Sequence, residues 1–342
     1  MNGKIRAIIF ALLAAVFYAV NVPASKLLMN RVSPTMMAAL LYLGAGAGIG
    51  VMRLSHIGGD EHAERFTRRD LPYVAGMIVL DIAAPIFLML GIRLGTSSSA
   101  SLLGNFEIVA TTLIALVLFK EPVSRRLWAA VGLIALSSAL LSFEGTESLQ
   151  FSMGSLFVLL ATLCWGLENN CTRALSAKSA YDIVILKGIF SGAGSLVIAL
   201  ARGETFPDAV HIILTMLLGF VAYGLSIFLY VRAQYTLGAA KTSAYYAVAP
   251  FVGAFLSLLL LRETLSKTYG AALLVMLAGS ALVVMDTLSQ SHAHAHTHTY
   301  THTHDGTTHT HTVSHVHAHN HYLTLNGHGH HHSRQELEAN HA

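Results

Sequence analysis

Residues 18–26 read YAVNVPASK, and residues 165–173 read WGLENNCTR. Set one above the other they pair Tyr18 with Trp165, Asn21 with Glu168, Ser25 with Thr172 and Lys26 with Arg173, at an offset of 147. Further matches follow in the same order. Gly44-x-x-x-Gly48 answers Gly188-x-x-x-Gly192, Leu94-Gly95 answers Leu237-Gly238, and KEPVS (120–124) answers RETLS (262–266) at an offset of 142. Ordered matches at similar offsets mark the chain as a duplication.

The medium follows from composition. Hydrophobic residues make up 54% of the 342, and Asp, Glu, Lys and Arg only 11%, against roughly 25% in soluble chains. A soluble globular enzyme is excluded on this ground. A disulfide scaffold is excluded by having only Cys164 and Cys171, and a nucleic-acid binder by a net charge of +3. A bilayer span needs about 20 apolar residues. Ten stretches qualify: 5–29, 34–53, 71–91, 96–119, 126–143, 153–175, 181–200, 209–233, 239–261 and 267–287. The first runs too long for a cleavable signal peptide. All ten are expected to be helices, because backbone groups in lipid must be satisfied within the segment. Lys and Arg in the connections favour a cytoplasmic N-terminus, 13 against 6, which places both termini in the cytoplasm; the expected location is a bacterial inner membrane.

Each half holds five spans, and an odd number inserts the second half upside down relative to the first. The expected fold class is therefore an all-α membrane protein of ten transmembrane helices in two inverted five-helix repeats, with a disordered His-rich tail. Its parts are 1–143, a linker at 144–152, 153–288, and the tail at 289–342. In inverted repeats the binding site lies near the midplane between the halves. Over residues 5–287 the sequence resembles the EamA family of the drug/metabolite transporter superfamily. The resemblance is carried by the 5+5 repeat, the polar patch late in the first span of each half, the basic-Glu-x-x-Ser junctions at Glu121 and Glu263, and LGNFEIVATTLIALVLFKE (103–121). It implies a carrier of small organic molecules, often outward, with no catalytic signature and no required cofactor.

Polar residues at membrane depth are the candidate substrate pathway, because ionisable groups there are costly unless they face a cavity or each other. Asp81 lies mid-span, four residues before Pro85, which suggests a kink carrying a free carbonyl beside a carboxylate. Asn105 and Glu107 are two apart and so point in different directions; Glu107 is the one favoured for the cavity. Asn21, Glu168 and Asn169 form the matched polar patches, and Tyr245 and Tyr246 adjoin the break expected at Pro250. Tyr223, Ser226 and Tyr230 decorate the eighth span. Cys164, Glu168 and Cys171 share a helix face, more in keeping with apolar filler than with a soft-metal site. Lys187, six residues into the seventh span, is expected to snorkel to the cytoplasm. A carboxylate at mid-membrane can take a proton on one side and release it on the other, so alternating access with proton coupling is the expected mechanism. Asp81, Glu107 or Glu168 would be the titrating group.

Seventeen of the 20 histidines fall in 292–341. His292, His294, His296, His298, His302, His304, His309, His311, His315, His317, His319 and His321 alternate with other residues and offer imidazoles to Zn, Ni, Co or Cu. The first functional reading is a secondary transporter, in the export direction, of small organic metabolites or drugs. The alternative is a Ni/Co/Zn exporter whose tail collects ions. A membrane sensor is third, and it lacks an output domain. The expected partners are lipid, a small-molecule substrate and divalent ions, with no nucleic acid, in a monomer or homodimer.

Overall fold

The computed structural model describes residues 3–55, 64–119, 124–142, 152–175, 178–237, 242, 245–264, 266–304 and 307–322. Glu121 and positions 144–151 of the expected linker lie outside the described residues. The chain divides into two compact units, Met1–Val284 and Met285–Ala342.

The first unit is helical. Its elements are α1 (Gly3–Ala19), α2 (Asn21–Leu28), α3 (Pro34–Leu54), α4 (Leu71–Leu94), α5 (Ser97–Leu103), α6 (Phe106–Phe119), α7 (Arg125–Ser142), α8 (Met153–Ala174), α9 (Ala180–Leu186), α10 (Gly192–Ala201), α11 (Ala209–Gly219), α12 (Ser226–Leu237), α13 (Ala249–Leu261) and α14 (Lys267–Leu288). Turns of π-helix at Lys187–Ser191 and Phe220–Leu225 join α9 to α10 and α11 to α12. Among the described residues, seven helices are long and apolar enough to cross a membrane. The pair α5–α6, the helix α8 with its polar run, and α13 occupy the other three expected positions. Val117, Val197, Ile213 and Leu274 are exposed on the outside. Such a surface would promote association in water, whereas lipid solvates it.

Packing exchanges partners between the halves. The helix α4 packs on α8, and α12 packs on α1 in return; α6 packs on α8, and α13 on α1; α3 meets α11, and α4 meets α10. Helix ends also sort into two sets. At one end of the bundle Lys26 Nζ lies 2.5 Å from Ile92 O and 2.8 Å from Gly95 O, and Glu263 accepts from the Ser97 and Ser98 N–H groups at 2.8 and 2.9 Å. There too Glu204 Oε2 accepts from Ser33 Oγ at 2.6 Å and Met36 N at 2.7 Å, and Ser152 N donates to Ser142 O. At the other end Lys178 Nζ lies 3.2 Å from both Glu64 and Asp70, and Arg53 pairs with Asp182. Read along the chain, these meetings alternate as an up-and-down bundle requires.

Small residues set the closest approaches. A Cβ at Gly188 would lie 2.3 Å from the Cα and N of Gly46, and one at Gly44 would lie 2.0 Å from the Met216 carbonyl oxygen. Gly48 meets the Phe220 ring and Gly192 meets Leu43. Both Gly-x-x-x-Gly pairs thus pack helices within one chain.

Several expectations need correction. The first span breaks at Val20, where Pro23 has no N–H to give the Ala19 carbonyl and a break is expected; the fourth breaks at Gly104–Asn105, a run read as a single helix because hydropathy carries no signal for a local break. Pro85 lies inside α4, which continues through it, and its ring has no N–H to give the Asp81 carbonyl. Positions 305–306 and 323–342 of the tail lie outside the described residues; its described part, expected to be disordered, forms an antiparallel pair, β1 (Ser289–His304) with β2 (Thr307–Tyr322). Its period-two alternation and cross-strand Thr positions, Thr299 with Thr312 and Thr301 with Thr310, are strand features that a composition-based reading overlooks.

Two predictions follow from this packing. Gly188→Ala lowers thermal stability in detergent by about 1–3 kcal/mol. Gly132→Ala, whose added carbon meets nothing within 4 Å, is neutral or stabilising. Burial pushes the Glu204 carboxyl up, but the Ser33 hydroxyl and Met36 N–H outweigh it and hold it below the usual glutamate range. Its contribution is therefore complete above the unfolded pKa of about 4.3 and is lost as pH falls through the lower folded value. Glu204→Ala costs about 1–2 kcal/mol at neutral pH, and the difference from the parent shrinks in acid unfolding scans.

Candidate functional site

A charge cluster occupies the interior of the bundle. Lys187 opens the first π-helical turn, where the widened ring displaces it from regular α-helical register. Its Nζ lies 2.5 Å from Glu168 Oε1 on α8 and 3.3 Å from Asp81 Oδ2 on α4. Asp81 Oδ1 accepts from the Tyr42 hydroxyl of α3 at 2.9 Å, and Thr172, one turn along α8, donates to Glu168. The three charged residues are 1–5% exposed. Two helices, one from each half, thus converge on one ammonium group, and their two carboxylates outnumber it.

The neighbouring position of α8 extends the cluster. Asn169 Nδ2 donates to Glu107 Oε1 of α6 at 2.6 Å. Successive residues of α8 therefore engage two different partners, which explains why Glu168 and Asn169 stand side by side.

On the other flank an aromatic network continues from Tyr42. The Tyr42 ring lies 5.0 Å from that of Tyr223, which sits in the second π-helical turn. Asn21 begins α2 just past the break at Val20; its Nδ2 donates to the Tyr223 oxygen at 3.0 Å, and its Oδ1 accepts from Ser25 at 3.1 Å. The Tyr18 ring touches Tyr223, Tyr246 and Trp165 at 5.9, 5.9 and 6.4 Å. Ser226 donates to Ala14 O and lies 3.4 Å from the Tyr246 hydroxyl. The matched stretches that reveal the repeat, around Tyr18 and Trp165, therefore meet in space. The break before Asn21 and both π-helical turns also fall on this network, in keeping with the frequent placement of π-bulges at functional sites.

Of the residues singled out from sequence, Asn21, Asp81, Glu107, Glu168, Asn169 and Tyr246 belong to this continuous set. Two do not. Asn105 is buried at the break between α5 and α6, donates to Leu102 O of its own turn, and its Oδ1 meets no donor among the described residues. Tyr245 is half-buried, and among the described residues none of the cluster's bonds or ring contacts runs through it. Lys187 does not snorkel; it is drawn inward because two buried carboxylates outweigh the reach to water. Glu168 is engaged by Lys187 and Thr172 rather than by the two thiols, which are free. Tyr42, Thr172 and Lys187 went unrecognised as site residues. The signal available was arithmetic: a lone lysine in a span, with several unpaired carboxylates at similar depth, calls for a partner.

The model of the EamA-like transporter family matches residues 5–143 and 152–285, one match to each half. An uncharacterized transporter of Methanothermobacter thermautotrophicus (strain ATCC 29096 / DSM 1053 / JCM 10044 / NBRC 100330 / Delta H) is 25% identical over 290 residues, covering 78% of this chain and 82% of its own. A protein of known crystal structure superposes with a TM-score of 0.59 at 15% identity, covering 82% of this chain and 95% of the other, which speaks to fold alone. The two matched halves and the helices that bury a polar centre between them agree: the chain is a multi-pass membrane protein, not an enzyme, and it belongs to the EamA-like transporter family.

Proposed function

We propose that this chain is a secondary carrier that exports a small organic solute across the cytoplasmic membrane by alternating access, with ten crossings in two inverted halves and both termini in the cytoplasm. The observation that carries the reading is Lys187 held between Asp81 and Glu168 in the interior. Taking such charges out of water costs several kcal/mol each, an expense with no purpose in a passive anchor. The carboxylates outnumber the lysine, so the centre accepts one more positive charge, either a proton or a cationic group of the solute. Competition between the two couples their movements. The tyrosines from Tyr42 to Tyr246 supply the apolar and hydroxyl surface that an amphipathic solute needs. Because Lys187 occupies both carboxylates that a divalent ion would require, the organic-solute reading is favoured over metal export through the bundle.

The end contacts supply the gates. With the N-terminus inside, Lys178 with Glu64 and Asp70, and Arg53 with Asp182, close the cytoplasmic end. Glu204 on Ser33 and Met36, with Glu263 on Ser97 and Ser98, closes the external end. Each loop before a third helix thus clasps the start of the opposite half's second helix. Both clasps are engaged here, which corresponds to an occluded state. Alternating access consists of releasing one at a time.

Metabolite profiling of the medium from expressing and non-expressing cells identifies the solute, and its flux in proteoliposomes then tests the coupling. Wild-type flux responds to an imposed pH gradient, whereas Asp81→Asn removes that response; wild-type flux indifferent to the gradient rejects proton coupling. Lys187→Met destabilises the protein by about 3–5 kcal/mol by stranding two buried carboxylates. Adding Asp81→Asn and Glu168→Gln restores most of the thermal stability but no transport. For the gates, Cys171 packs beside Met77, Leu175 and Ile183 near the cytoplasmic clasp and serves as a native reporter. In a Cys164→Ser background, Lys178→Ala raises maleimide labelling of Cys171, and Glu204→Ala does not.

A further inference from the structure

The histidine tail has an order that its composition conceals. In the β1–β2 pairing His292 stands opposite His319, His294 opposite His317, and His296 opposite His315. Residues paired across an antiparallel ladder share a face, and so do residues two apart along a strand. All six positions therefore lie on one face of the hairpin. The register on the other face is Ala293 with Ala318, Ala295 with Val316, and Thr297 with Ser314. A slip of one residue would destroy this sorting by setting every histidine opposite a different residue type.

We propose that this hairpin is a divalent transition-metal site built from opposed histidine pairs, with His292, His294, His317 and His319 as its tetrad and His296 with His315 as the adjoining pair. Two neighbouring pairs occupy a rectangle of about 4.5–5.5 Å by about 6.8 Å between α-carbons. Two opposed pairs two residues apart thus bring four histidine positions within one small patch of a single face, and a tetrahedral ion takes four ligands. Imidazole donors without thiolates suit Zn²⁺, Ni²⁺, Co²⁺ and Cu²⁺. A lone two-stranded hairpin is marginal in water. An ion that binds only the paired form adds its binding energy to that form, so metal binding and strand pairing reinforce each other. The proposal concerns the hairpin alone and stands whatever solute the helices carry.

The test keeps the composition constant and changes only the register. In the full-length protein in detergent, Zn²⁺ alone and Ni²⁺ alone are titrated by calorimetry. The first variant exchanges neighbours on β2: Ser314→His with His315→Ser, Val316→His with His317→Val, and Ala318→His with His319→Ala. The second adds the matching exchange on β1: His292→Ala with Ala293→His, His294→Ala with Ala295→His, and His296→Thr with Thr297→His. The first variant, with every histidine retained, is expected to lose about 10–100-fold in affinity at the tightest site, and the second to regain it on the opposite face. An unchanged titration in the first variant means that the tract chelates as a flexible chain and overturns the proposal. A loss that the second variant does not reverse overturns it as well.

Discussion

A lysine ammonium placed among carboxylates in the interior of a lipid-embedded bundle has few stable arrangements. In low dielectric each charge is costly alone and strongly attracted to its opposite, so Lys187, Asp81 and Glu168 are held together. That attraction fixes the relative depth and rotation of α4, α8 and the turn following α9. Tyr42 and Thr172 then find their places as donors to carboxylate oxygens left over, and Asn169 carries the network across to Glu107. Acid groups outnumber the base in this centre.

The helices pay attention to this centre in their backbones. The break at Val20 and the π-helical turns at Lys187–Ser191 and Phe220–Leu225 bring Asn21, Lys187 and Tyr223 onto the network. Regular helices would present these side chains in other directions. Around the centre, glycine contacts such as Gly46 with Gly188 let helices of opposite halves cross closely enough for short polar side chains to meet. Small residues and backbone irregularity are thus two parts of one solution to crowding.

Much of the site was legible in the sequence because lipid makes polar residues conspicuous. Asp81, Glu107, Glu168 and Asn169 stand out against apolar surroundings, and each is engaged in the interior. Lys187 was misread because near a span end a lysine has two physical outcomes, water or a buried acid, and only the neighbouring helices decide between them. Asn105 and Tyr245 are as polar and similarly placed, yet neither joins the network: Asn105 turns back on its own break between α5 and α6, and Tyr245 lies one residue, about 100° of helix rotation, from Tyr246. The tail shows the converse case: its alternation was visible, but composition suggested disorder, and pairing depends on which residue stands opposite which.

The sequence by itself determined the medium, the duplication, the order of the helices and the depth of the acids, because hydropathy and repeat spacing are properties of the chain read in a line. Only the tertiary structure decided which charges pair, where the helices break and which end contacts close together. Those outcomes depend on distances between residues far apart in the chain, and in a medium that screens charge poorly a few ångströms decide whether a buried ion is paired or stranded.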